Sequence, residues 1–318
     1  MERATQYLNF SHSQIEDTCR HYFKGTGTLQ SFEILSGGAV NTTYKICWND
    51  KFYVLRFFIR DKIAASIENN LYQMIQEKIP VPKMLFISSE NKSYPFAIFK
   101  FYEKPHLYEI ENSFSQKLSY DLGKSLARIH SFTFPQAGLF GPDLNIDVLF
   151  KKGSSPYFEY CIENLIPNSN AWKRLGGDRA ERVESFIKRH YKYFPIIGDH
   201  GCLVHSDFKP VNLLWNEGFG LTILDWEFAH SGDGMIDFGI LLRHFRDFPL
   251  DLFSLEKGYL EHGGFLQSDW IQRARIVDFI NVIQLLNAPS ERPVLYQSLI
   301  QSLDYTMRYW NSLTHFRS

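Results

Sequence analysis

The segment Leu203–Trp215 reads Leu-Val-His-Ser-Asp-Phe-Lys-Pro-Val-Asn-Leu-Leu-Trp, and the apolar run Leu221–Leu224 ends in Asp225-Trp226-Glu227. This sets Asp207, then Asn212 five positions on, then Asp225 thirteen residues further. Transfer of a phosphoryl group from a nucleotide needs a carboxylate beside the attacking hydroxyl. It also needs oxygen ligands for the magnesium ions that neutralise the phosphates. Asp207 suits the first task, and Asn212 with Asp225 suits the second. A hairpin between Asn212 and Asp225 would bring both oxygen ligands to one edge, with Pro210 stiffening the loop. Asp207 already fills the role of base, so His205 reads as an orienter of the loop through hydrogen bonds.

Those residues need a scaffold. Ser11 or Ser13 can cap an opening helix that runs through Phe23, where Lys24-Gly25-Thr26-Gly27 breaks it. Phe32–Leu35 reads as a short strand followed by a turn-rich stretch, Ser36–Asn41. Tyr44–Trp48 and Phe52–Phe58 flank Asn49-Asp50-Lys51 and predict a hairpin. Lys62–Lys78 is the most helix-like stretch of this region and is closed by Pro80 and Pro82. Lys83–Ser88 and Pro95–Phe101 supply two more strands. Beyond Tyr102, Leu118, Leu122, Leu126 and Ile129 recur at helical spacing, which predicts a helix over Ser115–His130. Further helices are expected over Tyr157–Leu165, Arg179–Tyr193, Trp270–Leu286 and Leu295–Trp310, with a strand-rich interlude from Gly201 to Trp226. The fold class is therefore α+β. A small β-rich N-terminal lobe (1–101) precedes a larger, mainly helical C-terminal lobe (102–318) that holds Asp207, Asn212 and Asp225.

With these motifs in place, the chain resembles the aminoglycoside phosphotransferase and choline kinase family, relatives of the protein kinases. His205-x-Asp207-x-x-x-x-Asn212 is similar to that family's catalytic loop, and Asp225-Trp226-Glu227 stands where protein kinases carry Asp-Phe-Gly. Ser36-Gly37-Gly38-x-x-Asn41-x-x-Tyr44 resembles the phosphate loop, and Tyr53-Val54-Leu55-Arg56 the third strand. Asp121-Leu122-Gly123-x-x-Leu126-Ala127-x-Ile129-His130 is similar to a helix of the large lobe, and Gly232–Gly239 to the segment closing the metal site. The resemblance implies a bilobal, protein-kinase-like fold and Mg2+-dependent transfer of the terminal phosphate of ATP or GTP to a small-molecule hydroxyl. It implies phosphate contacts from Ser36, Gly37, Gly38, Asn41, Thr42 and Arg56, an arginine where protein kinases have lysine. Glu68, with Glu77 as its rival, is the expected ion-pair partner of Arg56. Lys100 and Phe101 fall at the hinge, where backbone groups could meet a purine. Asp237 is expected to fix the catalytic loop. Glu227 replaces a glycine of protein kinases; it either holds an acceptor's ammonium or hydroxyl, or pairs internally with a base such as Arg243.

Two rival classes fit less well. Only eleven residues separate Asp225 from Asp237, too few for the activation loop of a protein kinase, and His-Ser-Asp lacks the arginine of His-Arg-Asp. A catalytically inactive nucleotide-binding module would have lost the base or a metal ligand, and all three residues are present. The acids Asp207 and Glu227, with Glu159, Glu163 or Asp233, point to a cationic acceptor: an amino sugar first, choline or another amino alcohol second. A quaternary ammonium would need surrounding rings, for which Tyr157, Phe158, Tyr160 and Trp172 are candidates. The formal net charge of the 318 residues is -1, which argues against a nucleic-acid partner. The four cysteines show no paired spacing, and no apolar run reaches membrane-spanning length. A cytoplasmic protein with no membrane partner is expected.

Overall fold

Ser11 opens the first helix as its N-cap, its hydroxyl accepting the backbone N–H of Gln14 while the Gln14 side chain accepts that of Ser11. The computed structural model describes residues 6–35, 40–59, 62–88, 94–110, 115–218 and 220–313. Two compact units divide the chain. One comprises Met1–Lys104 with Gly141–Asn145 and Thr222–Glu227; the other comprises Pro105–Phe140, Ile146–Leu221 and Phe228–Ser318.

The first unit holds α1 (His12–Phe23), β1 (Leu29–Ile34), β2 (Thr42–Trp48), β3 (Lys51–Phe57), α2 (Lys62–Ile75), β4 (Met84–Ile87) and β5 (Phe96–Lys100). Its strands form an antiparallel sheet in the order β1-β2-β3-β5-β4. Side chains alternate across a strand, and the alternation here separates core from chemistry. Tyr44, Ile46, Trp48, Leu55, Phe57, Phe96 and Ile98 join Ile15 and Cys19 of α1 in one buried cluster. Arg56 lies between Leu55 and Phe57 and so points to the opposite face, where it meets Glu68 of α2.

The second unit begins with α3 (Gln116–His130), capped by the Ser115 hydroxyl at the Leu118 N–H. There follow β6 (Thr133–Phe134), β7 (Gly138–Phe140), β8 (Ile146–Leu149), α4 (Pro156–Asn164), α5 (Asn170–Leu175) and α6 (Gly177–Arg189). β9 (Gly201–Val204), β10 (Leu213–Asn216), β11 (Gly220–Ile223, whose last two residues belong to the first unit) and β12 (His230–Gly232) come next. The chain continues with α7 (Met235–Arg243), α8 (Leu252–Glu261), α9 (Trp270–Asn287) and α10 (Pro293–Tyr309). A second five-stranded sheet, ordered β6-β9-β12-β7-β8, was not expected from the sequence. Its strands are two to four residues long, too short for a period-2 pattern to register. Pairing of His230 with Val204, Ser231 with Leu203 and Gly232 with Cys202 fixes β9 and thereby the start of the loop that follows it.

Candidate active site

That loop carries the first cluster of the site. Beyond Val204 the backbone turns sharply, and Ser206 takes a left-handed φ of 63°, a cost of about 1–2 kcal/mol for an L-residue that the surroundings must overcome. Asp237 of α7 supplies the restraint. Its fully buried carboxylate accepts the N–H of His205 at 2.9 Å and that of Ser206 at 2.7 Å. It also faces His130 Nε2 at 3.2 Å, while His130 Nδ1 meets the Tyr259 hydroxyl at 2.9 Å. Burial alone would raise the Asp237 pKa, yet the His130 contact and the loop N–H groups hold it below the ordinary carboxylate value. His205, itself fully buried, accepts the Asp207 N–H at its Nδ1. The loop geometry is thus set from behind by an ionised aspartate.

Asp207 itself is partly exposed. Asn212, on a 3-10 turn over Pro210–Asn212, donates its amide to the Asp207 carbonyl at 3.0 Å and to Oδ2 at 2.7 Å. The same Oδ2 meets Lys209 Nζ at 2.8 Å. The Asn212 amide nitrogen being engaged, its carbonyl oxygen is the atom suited to a cation. Lys209 was not singled out in the sequence, although its place two residues after Asp207 was legible.

The second cluster belongs to the smaller unit, which includes Thr222–Glu227. Arg56, 8% exposed, donates from Nη1 to Glu68 at 3.1 Å and from Nη2 to Asp225 at 2.8 Å, with Glu227 at 3.6 Å. Burial opposes the guanidinium charge, and the three carboxylates more than restore it, so Arg56 stays protonated. Glu68 is the α2 carboxylate that pairs, whereas Glu77 is exposed. One oxygen of Glu68, Oε2, is buried without a partner, and burial pushes the Glu68 pKa up to about 7 against the pull of Arg56. Asp225 adopts φ 64°, a second left-handed L-residue among the candidates. Glu227 accepts the Asn41 amide at 2.7 Å, and Asn41 in turn accepts the Ile59 N–H. The internal pairing suggested for Glu227 forms with Arg56 and not with Arg243, whose Nε donates to both oxygens of Asp278, at 3.1 and 2.9 Å.

Thr42 is fully buried and its hydroxyl accepts the Leu8 N–H, so the side chain is committed to the fold. Ser36, Gly37 and Gly38 lie outside the described residues. Lys100 ends β5, its N–H donating to Lys83, and Phe101 packs on Phe52 under the Lys45 ammonium. Two of the four rings considered for a cation cage have other work. Tyr157 is buried with its hydroxyl at the Asp233 N–H, and Phe158 packs on Tyr191 and Phe194. Glu159 accepts the Ser155 N–H at the start of α4, and Asp233 that of Met235. No described helix is long and apolar enough to cross a membrane.

Residues 31–267 match the phosphotransferase enzyme family APH. The chain belongs to this family. It is an enzyme of the APH phosphotransferases, and its fold is protein-kinase-like, an N-terminal β-sheet followed by a mainly helical C-terminal part. A putative aminoglycoside phosphotransferase from Ralstonia eutropha JMP134 is similar with a TM-score of 0.64 at 19% identity, over 94% of this chain and 99% of that one. A spectinomycin phosphotransferase bound to ADP and its antibiotic aligns over 97% of this chain and 98% of its own, with a TM-score of 0.60 and 14% identity. A macrolide 2'-phosphotransferase gives 0.60 and 14% over 97% and 94%. At such identities the likeness shows the fold of an APH phosphotransferase. No curated protein matches the sequence.

Proposed function

We propose that this APH phosphotransferase moves the terminal phosphate of ATP or GTP to a hydroxyl of an amino sugar, with Asp207 positioning that hydroxyl. The observation that carries the reading is the preparation of Asp207. Asn212 and Lys209 orient its carboxylate, on a loop whose amides are anchored by Asp237. In a loose phosphoryl-transfer transition state, positioning and electrostatics supply most of the catalysis, which is what such an arrangement offers. Arg56 is assigned to phosphate oxygens, and its planar fork suits them.

Asn212 and Asp225 are assigned to magnesium, which neutralises phosphate charge when bound. No three His, Cys, Asp or Glu side chains gather into a cage among the described residues. Magnesium does not need one, because it keeps several waters and takes one or two protein oxygens beside the phosphates. The Asn212 carbonyl oxygen and the second carboxylate oxygen of Asp225 are each a hard oxygen donor of the kind magnesium takes. An amino sugar is favoured over choline because two of the four rings available for a quaternary ammonium, Tyr157 and Phe158, are occupied by packing, and because proteins of similar fold are phosphotransferases solved with spectinomycin or hygromycin B.

The test is a panel of amino sugars, macrolides, choline and homoserine with labelled ATP or GTP and magnesium. Asp207→Asn should lower transfer by roughly 10²–10⁴-fold while nucleotide affinity stays near that of the wild type. Full activity in Asp207→Asn would remove Asp207 from the mechanism, and turnover of neutral acceptors alone would remove the amino sugar.

A further inference from the structure

The second unit contains a half-open cavity of about 330 Å³, walled by the end of α3, the start of α7, the end of α8 and the segment that joins α8 to α9. Its size falls in the range of small-molecule sites, about 300–1,000 Å³. The wall includes neither Asp207 nor the two residues that hold the Asp207 carboxylate, Lys209 and Asn212. Asp233 and Arg273 bring charge to it, and Tyr193, Tyr259 and Phe265 bring rings. His130 stands on the wall too, so an occupant adjoins the residue that faces Asp237 at 3.2 Å.

The charges around this cavity do not cancel. Arg273 is answered, since its Nε and Nη2 donate to the two oxygens of Asp269 at 2.8 and 3.3 Å. Asp237 is answered by His130 and by two backbone N–H groups. Asp233 is not. Its Oδ1 accepts the Met235 N–H at 2.8 Å, which ties one oxygen to the start of α7. Its Oδ2 accepts no hydrogen bond among the described residues, and, unlike Glu68 Oε2, it is not sealed from solvent. Burial raises the Asp233 pKa; the Met235 N–H opposes it, with His130 and Arg273 beyond ion-pair distance. Tyr157 and Cys202 stay neutral beside it, because burial raises both of their pKa values. A carboxylate without a cation, in a cavity walled partly by aromatic residues, suits one chemistry. An anion would meet the carboxylate, and Arg273 already has its acid. A neutral molecule would leave the charge unanswered. An organic ammonium gives Oδ2 a positive partner and gives the rings apolar surface.

We propose that this cavity binds a small organic ammonium, its charge against Asp233 Oδ2 and its carbon body among Tyr193, Tyr259 and Phe265. The probe is benzylammonium, with benzyl alcohol as its neutral counterpart. Binding is followed by calorimetry on the full chain without nucleotide, so the test does not depend on the proposed reaction. Loss of a charge-assisted hydrogen bond costs about 10- to 100-fold in affinity. Benzyl alcohol should therefore bind more weakly than benzylammonium by about that factor. Asp233→Asn, which keeps an oxygen for the Met235 N–H, should weaken benzylammonium to the same degree. Asp207→Asn should leave its affinity unchanged, which separates this cavity from the proposed acceptor site. Wild-type crystals soaked in 4-bromobenzylammonium should show an anomalous peak inside the cavity. Equal affinities for the two probes, or for wild type and Asp233→Asn, would overturn the proposal. So would a bromine signal confined to the surroundings of Asp207, or none at all, a result that decides the matter even if Asp233→Asn does not fold.

Discussion

The buried carboxylate of Asp237 accepts the backbone N–H of His205 at 2.9 Å, and through that bond a helix reaches the loop that presents Asp207. Asp237→Asn keeps the shape but places an amide where three donors converge. Breaking a buried charge-assisted network of this kind costs about 3–5 kcal/mol. A lower urea midpoint at unchanged slope should accompany a fall in kcat, with the KM for nucleotide little altered. An unchanged midpoint would mean that something other than Asp237 holds the turn at Ser206.

Lys209 Nζ lies 2.8 Å from Asp207 Oδ2. Its ammonium holds the carboxylate in one orientation and, in the proposed reaction, would place positive charge beside the attacking oxygen. A charge-assisted hydrogen bond contributes about 1.5–3 kcal/mol, so Lys209→Met should lower kcat by roughly 10- to 100-fold. Partial rescue by Lys209→Arg is expected, since a cation at that place is the requirement. Variants with unchanged kcat and only a shifted unfolding midpoint would give the lysine a purely structural role.

Glu68 gives a pH signature. Its native pKa is raised from 4.5 to about 7 by burial, with Arg56 opposing. Between those values the unfolded chain ionises first while the native carboxyl keeps its proton, so native stability falls as pH rises. Glu68→Gln removes that titration. The wild-type midpoint minus that of Glu68→Gln should therefore shrink from about pH 5 to about pH 8. A difference that stays level, or grows, would show that Arg56 keeps Glu68 ionised throughout.

Helices and longer strands were legible because their burial is periodic: Leu118, Leu122 and Leu126 line one face of α3, and Leu55 and Phe57 one face of β3. The same alternation put Arg56 on the face opposite the apolar core, beside an α2 carboxylate. Contacts made by peptide groups were harder to see. The resemblance led to the expectation that Asp237 fixes the catalytic loop, but its attachment to the amides of His205 and Ser206 follows from a turn, and no side-chain pattern in the sequence reports it. The partner of Glu227 was hidden for a related reason. Asn41 lies 186 positions away in the chain, and no local spacing encodes so distant a pair. The small second sheet escaped because two- to four-residue strands carry no usable period.

The contact between α3 and α8 gives a last prediction, one that explains a motif whose meaning was open. In Asp121-Leu122-Gly123, a Cβ placed on Gly123 would run into the Leu255 carbonyl oxygen of α8, and one on Gly258 into the Tyr120 carbonyl oxygen of α3. The two helices approach so closely that each needs a bare backbone at the crossing. Alanine would gain about 0.8–1.0 kcal/mol of helix propensity at either position. Overpacking typically costs about 1–3 kcal/mol, and more is expected here because a backbone carbonyl, unlike the tip of a side chain, has no rotamer to escape into. The loss should win, so Gly123→Ala and Gly258→Ala should both lower the unfolding midpoint. At Gly177, which begins α6, the nearest atom to a new Cβ is Trp172 Nε1 at 3.8 Å. Gly177→Ala should consequently leave stability unchanged or raise it. The double variant at 123 and 258 should cost less than the sum of the two singles, because the first substitution already spreads the crossing. Thermal midpoints of these four proteins test the arrangement, and a Gly123→Ala protein as stable as Gly177→Ala would rule out the close crossing.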